Sequence, residues 1–578
     1  MQLYTAYQTG KIPHQEHPNP QCEREFWLCL NGEWELKRVN ADGKGDFEGK
    51  ILVPFSPETL LSGIGNGFKL DEDQTLIYAR TFTIGEEYLN KRVILHFGAV
   101  DSRCTVKVNG VKVGSHSCGF TPFSFDVTGV VKKGENHLEV TVIDDAFKAH
   151  GARGKQSKNR GTIWYTPQSG IYQTVWLEFT PTVYIDNLKI TPDAMSSSVK
   201  VAFDCSESVA IAVFDGQRKI LEKSGKGEIT FSYDFELWSP ENPKLYALVL
   251  TNPSGDKIKS YFGVRSFSIV TDKKGKKRLA LNGKPYFYNG VLDQGYWSDG
   301  MLTYPSDKAV YDELKMLKDM GFNTIRKHIK VEPMRFYYHC DRLGLIVWQD
   351  FVNGGGKYKD SHIRVLPFLG FKHRDDDYKY FARQSESGRL EYIEMAKDII
   401  ATLFNSVSVG VYVPFNEGWG QFDSKKITDM VKELDGTRIV DSVSGWHDQG
   451  EKNTELLSLH TYFTPLKVPK DNRAVVLSEF GGYSMKIDGH VFDPQKEYGY
   501  KRFKNKEKFL SAIKRLYLKK VLPLLEKGLS GVIYTQVSDV EEEINGIVTY
   551  DRKVQKIPTE FMREINQKLY DEWKEKVE

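Results

Sequence analysis

The chain has 578 residues, too long for one ordinary domain; about 150 residues per domain suggests roughly four, and because some domain types run larger, three is just as plausible. The net charge of +3 and the 27% charged residues, interleaved in sign, exclude a strongly basic chain, and nothing in them argues for nucleic acid or an anionic membrane as a partner. No apolar stretch is long enough to span a bilayer. Six cysteines (Cys22, Cys29, Cys104, Cys118, Cys205 and Cys340) show no CxxC or CxH spacing, so reduced thiols are expected rather than a zinc site or a disulfide framework. The first residues, Met1-Gln2-Leu3-Tyr4, lack a basic region followed by an apolar one, and a cytoplasmic protein is expected, with a removed leader left open. Aromatic residues make up 13%, which suits a sugar binder and a large β-rich core equally.

Residues 1–181 read as all-β. Short runs such as Leu76-Ile77-Tyr78-Ala79-Arg80-Thr81-Phe82, Val93-Ile94-Leu95-His96-Phe97 and Thr105-Val106-Lys107-Val108 are separated by Gly/Asn turns. Asn109-Gly110 is a strong hairpin signal. A jelly-roll sandwich is expected. Residues 182–269 continue in β, at the size of an immunoglobulin-like sandwich.

From 270 to 578 apolar strands alternate with amphipathic helices. Ser306 is placed to cap a helix burying Val310, Leu314 and Leu317. A helix over roughly 385–404 carries Ile393, Ala396, Ile400 and Leu403 on one face, and Asp423 is placed to cap another that buries Ile427, Met430, Val431 and Leu434. Counting from Pro285-Tyr286-Phe287-Tyr288-Asn289 gives eight strands, the pattern of a TIM (β/α)8 barrel. Polar residues expected at its catalytic face are Asp293, Arg326, His328, Asp350, Asn416, Glu417, Asp441, His460, Glu479, Gln536 and Asp539.

Two of these residues stand out. The run Val409-Gly410-Val411-Tyr412-Val413 delivers Pro414-Phe415-Asn416-Glu417-Gly418-Trp419-Gly420, and Ala474-Val475-Val476-Leu477-Ser478 delivers Glu479. Acids at the tips of strands four and seven face each other across a barrel mouth. A retaining glycosidase needs two carboxyls ~5–5.5 Å apart, one protonating the leaving oxygen and one attacking as an anion. Asn416 suits a sugar 2-hydroxyl, and Arg326 is expected close to Glu479, favouring its anion. His328 and His460 would bond hydroxyls or orient the acids, and Tyr462 would donate to the nucleophile. Trp419, Trp446, Trp348 and Trp297 are candidate sugar platforms, at least one of them in use. No HxH, HExxH or DxDxDG spacing marks a metal site, Gly354-Gly355-Gly356-Lys357 lacks parts of a P-loop, and no GxSxG elbow occurs.

The chain resembles glycoside hydrolase family 2, the β-galactosidase, β-glucuronidase and β-mannosidase group, over nearly its whole length. The resemblance rests on Leu30-Asn31-Gly32-Glu33-Trp34, Tyr78-Ala79-Arg80-Thr81-Phe82, residues 169–177 and 237–246, Phe262-Gly263-Val264-Arg265, Leu281-Asn282-Gly283-Lys284-Pro285, Gly321-Phe322-Asn323-Thr324-Ile325-Arg326, Asn416-Glu417 and Glu479-Phe480-Gly481. It implies Glu417 as acid/base, Glu479 as nucleophile, no cofactor, and the three domains above. It also makes residues 153–159 a candidate loop at the barrel mouth.

Two departures bear on the sugar. Glucuronidases of the family carry an Asn-x-Lys pair that grips the carboxylate; here the matching positions are Glu543 and Asn545, and Glu541, Glu542 and Glu543 would repel a uronate. The family's Arg-x-x-His-Tyr-Pro segment is here Arg326-Lys327-His328-Ile329-Lys330. The expectation is an exo-acting, retaining β-glycosidase that prefers a neutral sugar, galactose first. Alternatives are a β-glucuronidase, β-galacturonidase or β-mannosidase of the same family, a catalytically inactive carbohydrate-binding relative, and a barrel lyase or metal-dependent hydrolase. A carbohydrate is the expected partner, with no nucleic acid and no membrane; homo-oligomerisation stays open.

Overall fold

Alternating burial builds the first part of the chain. In the computed structural model, which describes every residue except Met1, Asn66, Glu451, Glu578 and the side chain of Phe368, the strand Gly32–Val39 buries Trp34 and Leu36 and exposes Glu33 and Glu35. It lies in a six-stranded antiparallel sheet with Gly45–Val53, Thr75–Ile84, Gly134–Ile143, Arg103–Val108 and Val111–Ser117. A four-stranded sheet of Trp27–Cys29, Val175–Thr180, Arg92–Phe97 and Phe123–Asp126 covers it. Trp34, Tyr78, Leu95, Val106, Leu138 and Leu177 share one core between the sheets. Asn109 and Gly110 join two strands with φ of 52° and 81°, the two left-handed residues of a type I′ hairpin turn.

A second sandwich follows, with sheets of three and four strands around Val201, Ile211, Phe231, Leu248 and Phe262. Buried polar contacts tie it to both neighbours. Arg24 reaches Glu178 of the first sandwich at 2.7 Å and Asp256 of the second at 3.0 Å. Tyr261 Oη donates to Asp341 Oδ2 at 2.8 Å and Trp238 Nε1 donates to the Asp341 carbonyl at 2.8 Å, anchoring the second sandwich on the barrel.

The barrel strands are β1 (Tyr288–Asp293), β2 (Thr324–Lys327), β3 (Ile346–Asp350), β4 (Val409–Val413), β5 (Ile439–Val440), β6 (Leu456–Thr461), β7 (Ala474–Gly481) and β8 (Leu529–Thr535). Neighbours run parallel in the order β5-β4-β3-β2-β1-β8-β7-β6, leaving the sheet nearly closed between β5 and β6. Ser306 caps Asp307–Asp319 by accepting from Ala309 N, and Val310, Leu314 and Leu317 are buried. Among the described residues no helix is long and apolar enough to cross a membrane.

Four local expectations need correction. The first barrel strand begins at Tyr288, because Lys284–Pro285 pairs instead with Lys277–Leu281 in a small sheet outside the barrel. Asp423 precedes the helix Ser424–Leu434 but does not cap it: its carboxylate accepts from Tyr378 Oη, and Asp375 accepts from Ser424 N. In that helix Ile427 and Val431 are buried, but Leu434 at its end is 40% exposed, since the last turn runs past the barrel wall. In the helix Glu386–Leu403, Tyr392, Met395 and Ile399 join the buried face and Ile393 lies at its edge.

Arg24 offers a direct test of how the sandwiches are joined. Arg24→Met leaves Glu178 and Asp256 buried without their cation, a cost of about 3–5 kcal/mol. Calorimetry is expected to show an earlier unfolding transition for the variant; an unchanged thermogram would remove this bridge from the account.

Candidate active site

Strand β4 ends at Val413, and a short extension, Phe415–Asn416, pairs with Val443–Ser444 beyond β5. Glu417 N donates to Ser444 O at 2.9 Å, so the acid is pinned by the neighbouring chain. Its φ of 48° lies in the left-handed region, which costs a non-glycine residue about 1–3 kcal/mol. Gly418 continues the turn with φ 71°; a Cβ there would meet the His447 ring at 2.6 Å. Backbone and packing together aim the Glu417 carboxylate at β6 and β7.

There it meets His460 and Glu479. His460 Nδ1 lies 2.7 Å from Glu417 Oε1, and Nε2 lies 3.0 Å from Ser444 Oγ and 3.6 Å from Glu479 Oε1. One oxygen of each glutamate and a His460 nitrogen lie within 4.8 Å of one another. Among the described residues these three form the one group of His, Cys, Asp and Glu side chains with converging ligand atoms. Both ring nitrogens of His460 are engaged in hydrogen bonds, so a metal ion would have to displace them.

Arg326 ties the strands behind the acids. Its guanidinium, wholly buried, donates to both Asp350 oxygens at 3.0 and 2.9 Å, to Asn416 Oδ1 at 2.8 Å, to Ser478 O at 3.0 Å and to Glu479 Oε1 at 3.4 Å. Tyr462 Oη donates to Glu479 Oε2 at 2.5 Å, and its ring stacks on Tyr500 at 3.7 Å. His328 Nε2 stands 3.5 Å from Glu479 Oε1, and among the described residues neither this buried nitrogen nor the buried Asn416 Nδ2 has a hydrogen-bond partner. Burial, then the nearby Glu479 charge, pushes the Glu417 carboxyl above its usual range; His460 and Lys155 oppose that rise. Burial holds His328 well below the usual histidine range.

Glu417, Glu479, Asn416, Arg326, His328, Asp350, His460 and Tyr462 are thus brought together. Asp441 is buried beside them, its carboxyl raised to about 6 by burial. Gln536 stands one layer back, donating to Asn545 Oδ1 and accepting from Gln294 Nε2, each at 2.7 Å. Asp293 and Asp539 do not join the acids: each is claimed by a lysine, Lys327 and Lys556 respectively. Of the tryptophans, Trp348 is buried in a cluster with Phe267 and Leu279, and Trp297 lies under the Arg552 guanidinium, 4.1 Å from its ring. Neither presents a face to a sugar. Trp419 is buried against Trp164 at 5.0 Å and His328 at 6.1 Å, forming wall rather than platform. Trp446 is half-buried and lies 5.6 Å from the His460 ring.

The first sandwich completes the wall. Its loop beyond Ala152 docks on the loop after β3, where Arg153 Nη2 donates to Gly356 O at 2.9 Å. The approach is close enough that a Cβ on Gly354 would meet Gly151 O at 2.1 Å. Lys155 from this loop is 5% exposed; its ammonium lies 3.4 Å from Tyr165 Oη and 5.8 Å from the Trp419 ring centre. No carboxylate stands within salt-bridge distance of it among the described residues. Residue reasoning missed Lys155 itself, along with Tyr165, Trp164 and Gln294; the only signal was the loop that carries the lysine.

Three family descriptions match in sequence: "Glycosyl hydrolases family 2, sugar binding domain" over residues 63–181, "Glycosyl hydrolases family 2" over 183–265, and "Glycosyl hydrolases family 2, TIM barrel domain" over 273–480. The chain belongs to glycoside hydrolase family 2. A β-galactosidase of Bacteroides ovatus is 26% identical over 412 residues, which cover 63% of this chain and 46% of that one. A β-galactosidase of Thermoanaerobacter pseudethanolicus is 25% identical over 313 residues, 48% of this chain and 40% of that one. The chain therefore spans less than half the length of these curated relatives. Among solved structures, a Ruminococcus gnavus β-glucuronidase superposes with a TM-score of 0.74 at 16% identity, covering 96% of this chain and 99% of that one. At that identity the likeness speaks for the fold.

Lys155 favours the Glu417 anion, so removing its charge has a defined sign. Lys155→Met is expected to raise the Glu417 carboxyl further, read by carbon-13 titration of labelled glutamates with Glu417→Gln identifying the resonance. A Glu417 titration that does not move would place Lys155 too far away to matter.

Proposed function

We propose that this family 2 chain is an exo-acting, retaining β-glycosidase, with Glu479 as nucleophile and Glu417 as acid/base. The observation that carries the reading is the convergence of the two carboxylates, whose nearest oxygens lie within 4.8 Å. Retaining enzymes hold their carboxyls ~5–5.5 Å apart, whereas inverting ones leave ~6.5–9.5 Å for a water. The two acids have different neighbours. Burial raises Glu417, which suits a proton donor. Glu479 is steadied from two sides by Tyr462 and Arg326.

In the first step the Glu479 oxygen attacks the anomeric carbon while Glu417 gives its proton to the leaving oxygen. The anomeric C–O bond breaks, and a glycosyl ester on Glu479 forms. In the second step Glu417, now an anion, takes a proton from water, whose oxygen displaces Glu479 with a second inversion. His460 accompanies Glu417 through both protonation states from 2.7 Å. Asn416, held by Arg326 through its oxygen, keeps its Nδ2 donor for a substrate hydroxyl. Glu417 and Glu479 are only 9% and 4% exposed, which supports a pocket for one terminal sugar over an open groove.

A neutral hexose, galactose first, is the preferred substrate. The reason is Glu543, a buried carboxylate where glucuronidases of the family carry an amide. One observation favours a second reading, a β-linked uronic acid. Lys155 puts a nearly buried ammonium, with no carboxylate within salt-bridge distance among the described residues, against the same site. The acids counted against a uronate are also largely occupied: Arg160 lies 2.6 Å from Glu542 and 3.5 Å from Glu541.

A panel of nitrophenyl β-glycosides decides between the two. Fastest release from the galactoside is expected, with the β-anomer appearing first by NMR; initial α-product would end the double-displacement proposal. Glu479→Gln is expected to lose about 10⁴-fold or more in kcat. Faster cleavage of a glucuronide or galacturonide, abolished by Lys155→Met, would replace galactose with a uronic acid.

A further inference from the structure

A single chain of hydrogen bonds runs from the barrel mouth to His328. Lys155 Nζ donates to Tyr165 Oη at 3.4 Å, and Tyr165 Oη donates to Glu543 Oε2 at 2.5 Å. Asn545 Nδ2 donates to Glu543 Oε1 at 3.0 Å, Gln536 Nε2 to Asn545 Oδ1 at 2.7 Å, and Gln294 Nε2 to Gln536 Oε1 at 2.7 Å. Gln294 Oε1 then lies 2.9 Å from His328 Nδ1. Every member is buried. The links come from three places: the first sandwich, the ends of β1 and β2, and the segment after β8.

The direction of this chain is set by its end. A carboxylate only accepts, so Glu543 must receive from both Tyr165 and Asn545. An amide that gives its nitrogen to one neighbour must offer its oxygen to the next. Asn545 therefore accepts from Gln536, Gln536 from Gln294, and Gln294 from His328. Nδ1 must carry the proton. Because the imidazole is held well below its usual range by burial, it is neutral and has one proton only, leaving Nε2 bare.

We infer that Glu543 is a positioning residue: through Asn545, Gln536 and Gln294 it fixes the Nδ1–H tautomer of His328, so that His328 presents an acceptor rather than a donor to the catalytic pocket. The consequence falls on Glu479. A proton on Nε2, 3.5 Å from Glu479 Oε1, would add a third donor to the Glu479 carboxylate, beside Arg326 and Tyr462, and blunt it as a nucleophile. A bare Nε2 does not. It accepts a hydrogen bond from a substrate hydroxyl, beside Asn416 Nδ2, which only donates; a hydroxyl, being both donor and acceptor, matches that pair. That last step rests on the glycosidase reading above; the tautomer does not.

Glu543→Gln tests the direction. A glutamine can donate to Asn545, which lets every amide turn over and moves the ring proton to Nε2. Neutron diffraction from deuterated crystals of the wild-type protein is expected to place one deuteron on His328 Nδ1 and none on Nε2, and in Glu543→Gln to show deuteron occupancy at Nε2. A deuteron on Nε2 in the wild type overturns the inference whether or not the variant folds. Nδ1 occupancy alone in both proteins overturns the role of Glu543. On a substrate that the wild type cleaves, kcat/KM of Glu543→Gln is expected to fall about tenfold or more, as for other partners that fix a histidine tautomer, and Glu543→Asp, which still only accepts, to recover part of it. Equal kcat/KM for wild type and Glu543→Gln would remove the functional consequence while leaving the diffraction result to judge the tautomer.

Discussion

The arrangement of the pocket depends on one buried cation. Arg326 leaves β2 and uses its donors on Asp350 of β3, Asn416 beyond β4, and Ser478 and Glu479 of β7. A guanidinium without solvent is tolerable only when its donors are met and its charge is paired; leaving its partners without it would cost about 3–5 kcal/mol. That penalty makes the position of each partner conditional on the others. Asp350 alone would satisfy the charge, through a bidentate pair. The remaining donors are therefore free to set geometry, and they fix the amide beside one glutamate and the carboxylate of the other. Lysine at this position would keep the charge and lose the fork that reaches several strands at once.

Around that centre the two glutamates acquire opposite surroundings from a similar beginning. Each follows an apolar strand, and each is nearly buried. Glu417 sits on a turn with a left-handed backbone, reached by one imidazole nitrogen. Glu479 continues β7 without a turn and meets a tyrosine hydroxyl and the guanidinium. The unlike surroundings of the two carboxylates thus come from neighbours on β2, on and just beyond β6, and in the first sandwich. Lys155 shows how far this extends: it stands in a loop of the first sandwich, outside the barrel, yet its charge reaches Glu417. A barrel cut free of the sandwich would keep both acids and lose part of what tunes them.

Much of this was legible from residue order. Strands seven and eight, the hairpin at Asn109-Gly110, and the cap at Ser306 follow from period, turn residues and capping chemistry, which act locally. The glutamates were legible because a strand tip is a local feature, and so were Arg326, His460 and Tyr462, which stand at or just beyond such tips. The failures share a cause. Asp423 has the right type and place for a cap, but Tyr378, 45 residues away in sequence, takes its carboxylate. Trp297 and Trp348 look like platforms until the third dimension buries them. Lys155 and Gln294 carry no spacing signal, since each earns its role from a partner on a remote segment.

Glu543 carries the same lesson in its sharpest form. As a letter in a row of three acids it is a repulsive charge, and repulsion of a uronate is the natural reading. In the fold its two oxygens are taken by Tyr165 and Asn545, with the Lys155 ammonium behind the tyrosine. A charge so occupied repels less than an open one, because its field is met at short range by donors aimed at it. What remains is its inability to donate. That property is invisible as net charge, but it propagates without loss along amides, each of which must turn its nitrogen one way and its oxygen the other. Which face His328 turns to this pocket, acceptor or donor, is thus decided at a carboxylate four hydrogen bonds away, by direction rather than by field.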